Sequence, residues 1–212
     1  MRTLILQELT IQNKIYNITK YTLIFFIFCC ISITLINSYE NIQIFGIIFS
    51  VIIIPLAFIS LSGYLMKPDI EDGTFEVLLT SLSPIKIVLA KYIALCICCC
   101  LSLILTTPFI YTVYSMEVLT FVLVLASAFM LLFLSASLAI LIAAVQGYFR
   151  SNTNFLGLLI MPLTIPSIIL SGILIQNTED IHLLFMMIGI NLVIIPPALY
   201  LSSYLIKNIY DM

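Results

Sequence analysis

The sequence predicts an all-α membrane protein with six transmembrane helices, and two observations support this prediction. The chain has 212 residues, of which 63% are hydrophobic and only 8% are charged, more apolar surface than a soluble protein of this length can bury. Charged residues separate six charge-free stretches of at least 19 residues, and about 20 apolar residues cross the hydrocarbon core as a helix. These stretches are residues 21–39, 41–66, 92–116, 118–149, 151–178 and 181–206.

The distribution of charge predicts how these helices are oriented. If the stretches cross the membrane alternately, all eight Lys and Arg residues lie on the side that holds both termini, and the other side holds Glu40, Glu117, Glu179 and Asp180. Because Lys and Arg favour cytoplasmic loops, both termini are expected in the cytoplasm. The basic residues form no patch large enough for nucleic acid. The lipid bilayer is therefore the expected surroundings of a single domain, residues 1–212.

The first twenty residues are expected to lie on the membrane surface. Residues 1–20 mix apolar side chains with polar and charged ones. This mixture suits a helix lying in the headgroup plane. The first segment is therefore assigned to the interface, on the side of the two termini.

The longest polar connection, residues 67–86 between helices 2 and 3, is expected to contain a short amphipathic helix. Asp72 can cap such a helix at its start. Ser83 and Pro84 are expected to end it and begin the third transmembrane helix, because Pro favours the first helical position. Apolar residues between these signals recur at the spacing of one helical face: Phe75, Leu78, Leu79 and Leu82.

Helices 4 and 5 carry further local patterns. In the fourth stretch, small residues repeat every four positions and form a narrow face for close helix packing: Ser135, Ala139, Ala143 and Gly147. In the fifth stretch, Pro162 and Pro166 flank Thr164 and interrupt the backbone hydrogen bonding of the helix. This predicts either a flexible point or a static kink.

The sequence offers no chemistry for catalysis. It contains no Walker A motif and none of the common hydrolase or metalloprotease motifs. None of the predicted spans has an internal Asp, Glu, Lys or Arg, the groups that ion-coupled transporters usually carry. The chain is therefore expected not to be an enzyme, to bind no metal ion or cofactor of its own, and to take any driving force from a partner.

The connection and the fifth stretch together resemble haem exporter protein B, the permease of the cytochrome c maturation system. One run is similar to that family's cytoplasmic loop and another to the L-P-L-T-I-P pattern of its fifth helix. One departure is Met66-Lys67-Pro68, where the family has a Phe-Arg-like pair. The matching runs are Asp69-Ile70-Glu71-Asp72-Gly73-Thr74-Phe75-Glu76, then Leu78, Pro84 and Val88-Leu89-Ala90-Lys91, and finally Pro162-Leu163-Thr164-Ile165-Pro166.

The resemblance implies a permease of the type-2 ABC exporter superfamily in a bacterial inner membrane. A separate cytoplasmic ATPase would bind and hydrolyse ATP, a tryptophan-rich membrane protein would handle haem, and a periplasmic chaperone would receive it. The permease would couple hydrolysis to haem handling or to release of the loaded chaperone, with haem as a candidate cargo.

The resemblance also implies roles for particular residues. His182, at the outer mouth of the sixth helix, is a candidate contact for haem, because imidazole is a common axial ligand. The connection would act as a coupling helix that meets the ATPase. The residues expected to take part in this coupling are Asp69, Glu71, Asp72, Gly73, Phe75, Glu76, Leu78, Leu79 and Leu82.

Two other functions remain open at this point. The chain could be the permease of another type-2 ABC exporter that moves a lipid, a drug or a polysaccharide. It could also be a membrane assembly factor that binds partners without transport. A neighbouring gene for a haem chaperone would favour haem export, and failure to co-purify with an ATPase would favour the assembly factor.

Overall fold

The structure, a computed structural model, is almost entirely helical in the residues that it describes, and no strand occurs among them. Its first helix bends sharply into the second. Helix α1, Arg2–Thr10, continues into a π-helical turn, Ile11–Ile15, which meets α2, Ile18–Ile36, at an angle of 56°. Asn17 at this bend has a φ of +51°, a left-handed conformation that Asn tolerates better than most residues. The described residues are 1–36, 42–149, 154–177 and 180–210.

Seven further α-helices follow α2 in the described part of the chain. The last two long helices are separated from α7 by a 3-10 turn, Asn154–Leu159, that leads into α8. The helices are α3, Ile42–Leu65; α4, Lys67–Glu71; α5, Thr74–Ser81; α6, Pro84–Tyr114; α7, Val118–Tyr148; α8, Ile160–Gln176; and α9, His182–Tyr210.

Five of the described helical segments are long and apolar enough to cross a membrane, and a sixth is added if the bent N-terminal pair counts as one span. The prediction of a multi-pass α-helical membrane protein is therefore confirmed, while the count of six stays a prediction. Helix α6 begins at Pro84, eight residues before the predicted stretch 92–116. Some evidence for the predicted topology lies outside the described residues: Glu40, Arg150, Glu179 and the ends of stretches 21–39, 41–66 and 151–178.

Helix α7 lies at the centre of the bundle. It packs against α3, α6, α8 and α9. In the most apolar 18-residue segment of α7, 72% is buried within the protein, compared with 28% in the corresponding segment of α9. Lipid tails are as apolar as the side chains of a membrane helix, so burial of apolar surface alone does not drive helices together. Small side chains instead allow neighbouring helices to approach closely and pack well. All four residues of the small-residue row are buried on this helix: Ser135, Ala139, Ala143 and Gly147.

Hydrogen bonds between side chains and neighbouring helices tie the bundle together. The hydroxyls of Thr22 on α2 and Ser102 on α6 lie 2.6 Å apart, and Ser102 also lies 2.8 Å from the carbonyl oxygen of Thr19. Asn191 on α9 donates to the carbonyl oxygen of Met130 on α7 at 3.0 Å. In a membrane, each such bond contributes about 0.6 kcal/mol on average.

The proline-containing segment of the fifth stretch is placed at the start of a helix. Pro162 lies in the first turn of α8, and only Pro166 lies inside the helix. The Thr164 hydroxyl lies 3.0 Å from the carbonyl oxygens of both Ile160 and Met161, so it caps backbone groups of the first turn. Whether this segment is a flexible point stays a prediction.

Candidate functional site

The connection between α3 and α6 folds as two short helices joined at a glycine. Gly73 has a φ of +71°, a left-handed conformation that residues with a Cβ adopt at a cost. The chain reverses there, so Asp72 ends α4, and its N–H bonds to the carbonyl oxygen of Pro68 at 2.9 Å. This corrects the prediction that Asp72 caps the amphipathic helix, because Gly73 occupies the cap position of α5.

The start of the third long helix is confirmed. Ser83 is extended, with a ψ of 142°, and Pro84 occupies the first position of α6, although the Ser83 hydroxyl makes no capping hydrogen bond. Proline is suited to this position because its missing N–H has no partner within the helix. The connection therefore passes directly into α6, a helix of 31 residues.

The apolar face of α5 points towards the protein itself. Phe75 is fully buried, at 0% exposed, and the three leucines that follow on this face are half-buried and pack against the main hydrophobic core. Phe75 therefore holds α5 on the bundle, and its part in ATPase coupling stays a prediction. The half-buried leucines are Leu78, Leu79 and Leu82.

The opposite face of the connection, which we call the outer face, is exposed and acidic. Glu71, Asp72 and Glu76 are exposed carboxylates, and Val77 beside them is 69% exposed. An exposed apolar residue among carboxylates is a surface that a partner with basic and apolar groups can cover. The outer face is formed by Glu71, Asp72, Glu76 and Val77.

A buried ionic cluster, Glu8–Asp69–Lys91, attaches the inner face of the connection to the bundle. The Lys91 ammonium on α6 donates to the Glu8 carboxylate of α1 at 3.1 Å and to the Asp69 carboxylate of α4. The three side chains are 3%, 5% and 15% exposed for Lys91, Glu8 and Asp69. Asp69 thus contacts the bundle, and its predicted part in ATPase coupling stays a prediction. Three elements that are distant in sequence thus share one charge network.

The cluster is reinforced by two further contacts. Lys91 Nζ lies 5.5 Å from the ring centroid of Phe75, within the range of a cation–π interaction. The side-chain amide of Gln12 donates to the carbonyl oxygen of Lys91 at 3.2 Å. Phe75 links α5 to Lys91, and Gln12 adds a second link from the N-terminal segment. The connection and the N-terminal segment are therefore both fastened at the start of α6.

Burial sets the electrostatics of this cluster. It raises the pKa of the Glu8 carboxyl above its ordinary value, while the neighbouring Lys91 ammonium opposes that rise. A buried ion pair adds little net stability over apolar packing, but removing one partner leaves a buried charge and costs about 3–5 kcal/mol. The cluster therefore fixes the position of the connection and of α1 against α6 more than it adds to stability.

A side-chain contact joins α4 to the central helix. A Cβ built on Gly147 would lie 2.2 Å from Ile70 Cδ1, far inside van der Waals contact. Ile70 therefore packs directly on Gly147 of α7, and a larger residue there would need the Ile70 side chain to shift. The small-residue row was predicted to serve contacts between transmembrane helices, and at Gly147 it receives the connection.

Three residues of this site, Glu8, Gln12 and Lys91, were not among those predicted. Lys91 is matched by the V-L-A-K run of the resemblance, but on sequence grounds it served only as a charge for topology. Glu8 lies in a helix of mixed polar and apolar residues, and nothing in this local pattern marks it as buried. The pairing itself has no local signature, because Glu8 and Lys91 are 83 residues apart.

The remaining predicted site residue lies away from the connection. His182 begins α9, its side chain is 66% exposed, and its Nδ1 lies 3.9 Å from the Asp180 carboxylate. Over the described ranges, no group of three or more His, Cys, Asp or Glu side chains is arranged to hold a metal ion. The six cysteines lie in α2 and α6 as free thiols.

Comparison with known proteins identifies the family. The family described as "CcmB protein" matches residues 1–203. An uncharacterized protein of Rickettsia conorii is 47% identical over 209 residues, covering 99% of this chain and 97% of the relative. An uncharacterized protein of Rickettsia prowazekii is 46% identical with the same coverage. The chain belongs to the CcmB protein family, the haem exporter protein B family, whose members are membrane permeases that act with an ATPase in ABC-type haem export.

Proposed function

We propose that this chain is the permease subunit of an ABC-type complex for cytochrome c maturation in a bacterial inner membrane, with both termini in the cytoplasm. It couples a partner ATPase to haem handling or to release of a haem-loaded periplasmic chaperone. The observation that carries this proposal is the Glu8–Asp69–Lys91 cluster, since it fastens a short surface connection to a long helix of the bundle.

The first step is docking of the ATPase on the outer face. Three exposed carboxylates and the exposed Val77 form this face, so a basic, partly apolar groove on the ATPase is the complementary surface. Charge complementarity of this kind favours correct orientation and rapid association more than it raises affinity. Docking on the outer face leaves the contacts of the inner face intact.

The second step is transmission of movement into the membrane. When the ATPase displaces the connection, Asp69 and Phe75 carry Lys91 with them, because separating the buried charges would cost about 3–5 kcal/mol. Lys91 lies in α6, which has 31 residues and a length of about 45 Å at 1.5 Å per residue. A tilt imposed at one end of this helix is therefore felt at the opposite membrane surface.

The other proposed partners come from the family resemblance. A separate tryptophan-rich membrane protein would hold haem and present it to the chaperone, which agrees with the lack of tryptophan in this chain. His182 is the candidate contact for haem on that side, and Pro162, Thr164 and Pro166 are candidates for the point at which α8 flexes. The alternatives are a permease for a lipid, drug or polysaccharide and an assembly factor without transport.

Co-purification from the native host tests this proposal. The tagged chain is expected to bring down an ATPase together with haem-handling membrane proteins, and Glu76→Lys is expected to remove the ATPase by reversing a charge on the outer face. Lys14→Glu is the matched control, since Lys14 is an exposed charge in the N-terminal segment, outside the connection. Recovery of an ATPase without haem-handling partners would favour another exporter. Wild-type chain that captures no ATPase would favour the assembly factor.

A further inference from the structure

A cavity of about 660 Å³ lies where the N-terminal segment bends into α2 and faces the end of α3. Its lining is polar and aromatic: the residues that matter here are Tyr16, Asn17, Tyr21, Tyr64, Lys67 and Gln146. They offer three phenols, two amides and one ammonium. Among the described lining residues there is no carboxylate, so the electrostatic character of the cavity suits an anion.

A second, apolar cavity of about 290 Å³ continues from the first along the groove between α2 and α3. The two cavities share three lining residues, Tyr21, Ser60 and Leu61. Beyond them the groove is lined mainly by Ile24, Phe25, Phe28 and Ala57. A polar compartment thus opens directly into an apolar one.

The two compartments are arranged along the direction of the membrane helices. Tyr21 and Phe28 lie seven residues apart on α2, about 10 Å along the helix axis. Tyrosines are enriched at the boundary between water and hydrocarbon, and Tyr16, Tyr21 and Tyr64 mark that boundary in the polar compartment. The apolar groove therefore runs from the boundary towards the membrane interior.

We propose that these joined cavities bind one acidic glycerophospholipid, with its phosphate beside Lys67 and an acyl chain between α2 and α3. The Lys67 ammonium pairs with Glu71 at 3.7 Å. An ammonium has three donors, so Lys67 can contact both this carboxylate and a phosphate. In the orientation proposed above, the lipid belongs to the cytoplasmic leaflet. This inference is independent of the ATPase and of the exported substrate.

The shape of the groove favours a lipid over haem as the occupant. Haem iron in proteins takes His, Cys, Met or Tyr as an axial ligand, and of these only Tyr lines the cavities in the part of the chain that the structure describes. A groove between two helices suits a flexible hydrocarbon chain better than a flat macrocycle. The bound lipid would fill the space between the N-terminal segment and α3 and so support the segment that carries Glu8.

Native mass spectrometry of the purified chain in detergent tests the site. Phosphatidylglycerol and phosphatidylethanolamine with identical acyl chains are titrated separately, and we expect the acidic lipid to bind more tightly. Lys67→Gln is expected to weaken phosphatidylglycerol about fivefold, the effect of one basic residue on an acidic lipid, and to leave phosphatidylethanolamine nearly unchanged. Ser60→Phe, which fills the exposed junction of the two cavities, is expected to weaken both lipids.

Glu71→Gln is the matched control, because it removes the same ion pair and keeps the ammonium. It is expected to bind phosphatidylglycerol at least as well as the wild-type chain. Equal binding of the two lipids, or an effect of Glu71→Gln as large as that of Lys67→Gln, would overturn the proposal. Haemin that displaces the lipid, with a Soret band altered by Tyr64→Phe, would also overturn it and assign the cavities to the cargo.

Discussion

The inner and outer faces of the connection between α3 and α6 differ in burial and in the partners of their charged groups, although they come from the same short stretch of sequence. On the inner face, Phe75 is fully buried and Asp69 joins a buried ionic cluster. On the outer face, Glu76 is exposed and Val77 is 69% exposed, although they are the next two residues after Phe75. An element that receives a force and passes it on needs one face free for the partner and one face fixed to the bundle.

This difference allows the stability of the protein and its binding to a partner to be changed separately by mutation. Changes on the inner face should lower the free energy of unfolding, because they disturb buried contacts. Changes on the outer face should alter partner binding at nearly constant stability, since exposed substitutions usually stay within about 0.5 kcal/mol. The predictions below run from the largest expected loss of stability to the smallest.

Lys91→Met is expected to have the largest effect. Methionine keeps the length of the side chain but removes the ammonium, and Glu8 and Asp69 are then left buried without their partner. The expected loss is about 3–5 kcal/mol in the free energy of unfolding. Chemical unfolding of the purified chain in detergent or nanodiscs measures it.

A neutral version of the whole cluster is the control for Lys91→Met. Glu8→Gln and Asp69→Asn combined with Lys91→Met bury no charge, and replacing a complete buried ion pair by neutral groups is often close to neutral for stability. The triple variant should therefore recover most of the lost stability. If Lys91→Met alone unfolds like the wild-type chain, the buried cluster does not exist in solution.

Local patterns in the sequence were sufficient for the elements but not for the cluster. Hydropathy predicted the long helices, and Ser83-Pro84 predicted the start of α6, because both signals depend on neighbouring residues. The spacing of Phe75 and the following leucines predicted a helix face, yet the same spacing suits a groove on a partner or the protein's own bundle. Which surface it covers is decided by tertiary packing.

The features that could not be predicted from the sequence depend on contacts between distant residues or on a positive backbone φ angle. Glu8 and Asp69 meet Lys91 across 83 and 22 residues of chain, and nothing near any one of them records the others. Asp72 has the right chemistry for a helix N-cap, but the left-handed Gly73 follows it, and Asp72 lies at the C-terminal cap of the preceding helix. A glycine after a candidate cap is thus a reason to move the helix start by one residue.

Gly147→Ala is expected to cause the second-largest loss of stability, because its Cβ would lie 2.2 Å from Ile70 Cδ1. Overpacking of this kind costs about 1–3 kcal/mol. Ile70→Val removes that methyl group at a cost of about 0.5–1.5 kcal/mol, so the double variant should lose less stability than the two single losses added together. A double-mutant cycle of unfolding free energies measures this coupling.

Gly172→Ala is the matched control for Gly147→Ala. Gly172 is also a helical glycine, but a Cβ built on it meets nothing within 4 Å. Alanine favours a helix over glycine by up to about 1 kcal/mol, so this variant should be neutral or stabilised. If both alanine variants behave alike, Ile70 does not press against Gly147 and the inner face lacks its contact with α7.

Gly73→Ala is expected to have a smaller effect of purely backbone origin. The φ at Gly73 is +71°, and a Cβ there would meet nothing within 4 Å. The loss should be about 1–2 kcal/mol, the cost of a left-handed conformation for a residue with a Cβ. Gly73→Asn should lose less, because Asn tolerates this conformation, and equal losses for Ala and Asn would contradict the backbone explanation. Thermal unfolding of both variants in one detergent compares them.

Val77→Ala is expected to have the smallest effect on stability and a clear effect on the ATPase. Val77 is 69% exposed, so its loss should change the free energy of unfolding by no more than about 0.5 kcal/mol while co-purification of the ATPase falls. Asp69→Asn should do the reverse: the ATPase still co-purifies, but ATP hydrolysis no longer drives release of the haem-loaded chaperone. If Val77→Ala and Asp69→Asn show the same phenotype, docking and transmission are not separated between the two faces, and the connection acts as one undivided contact.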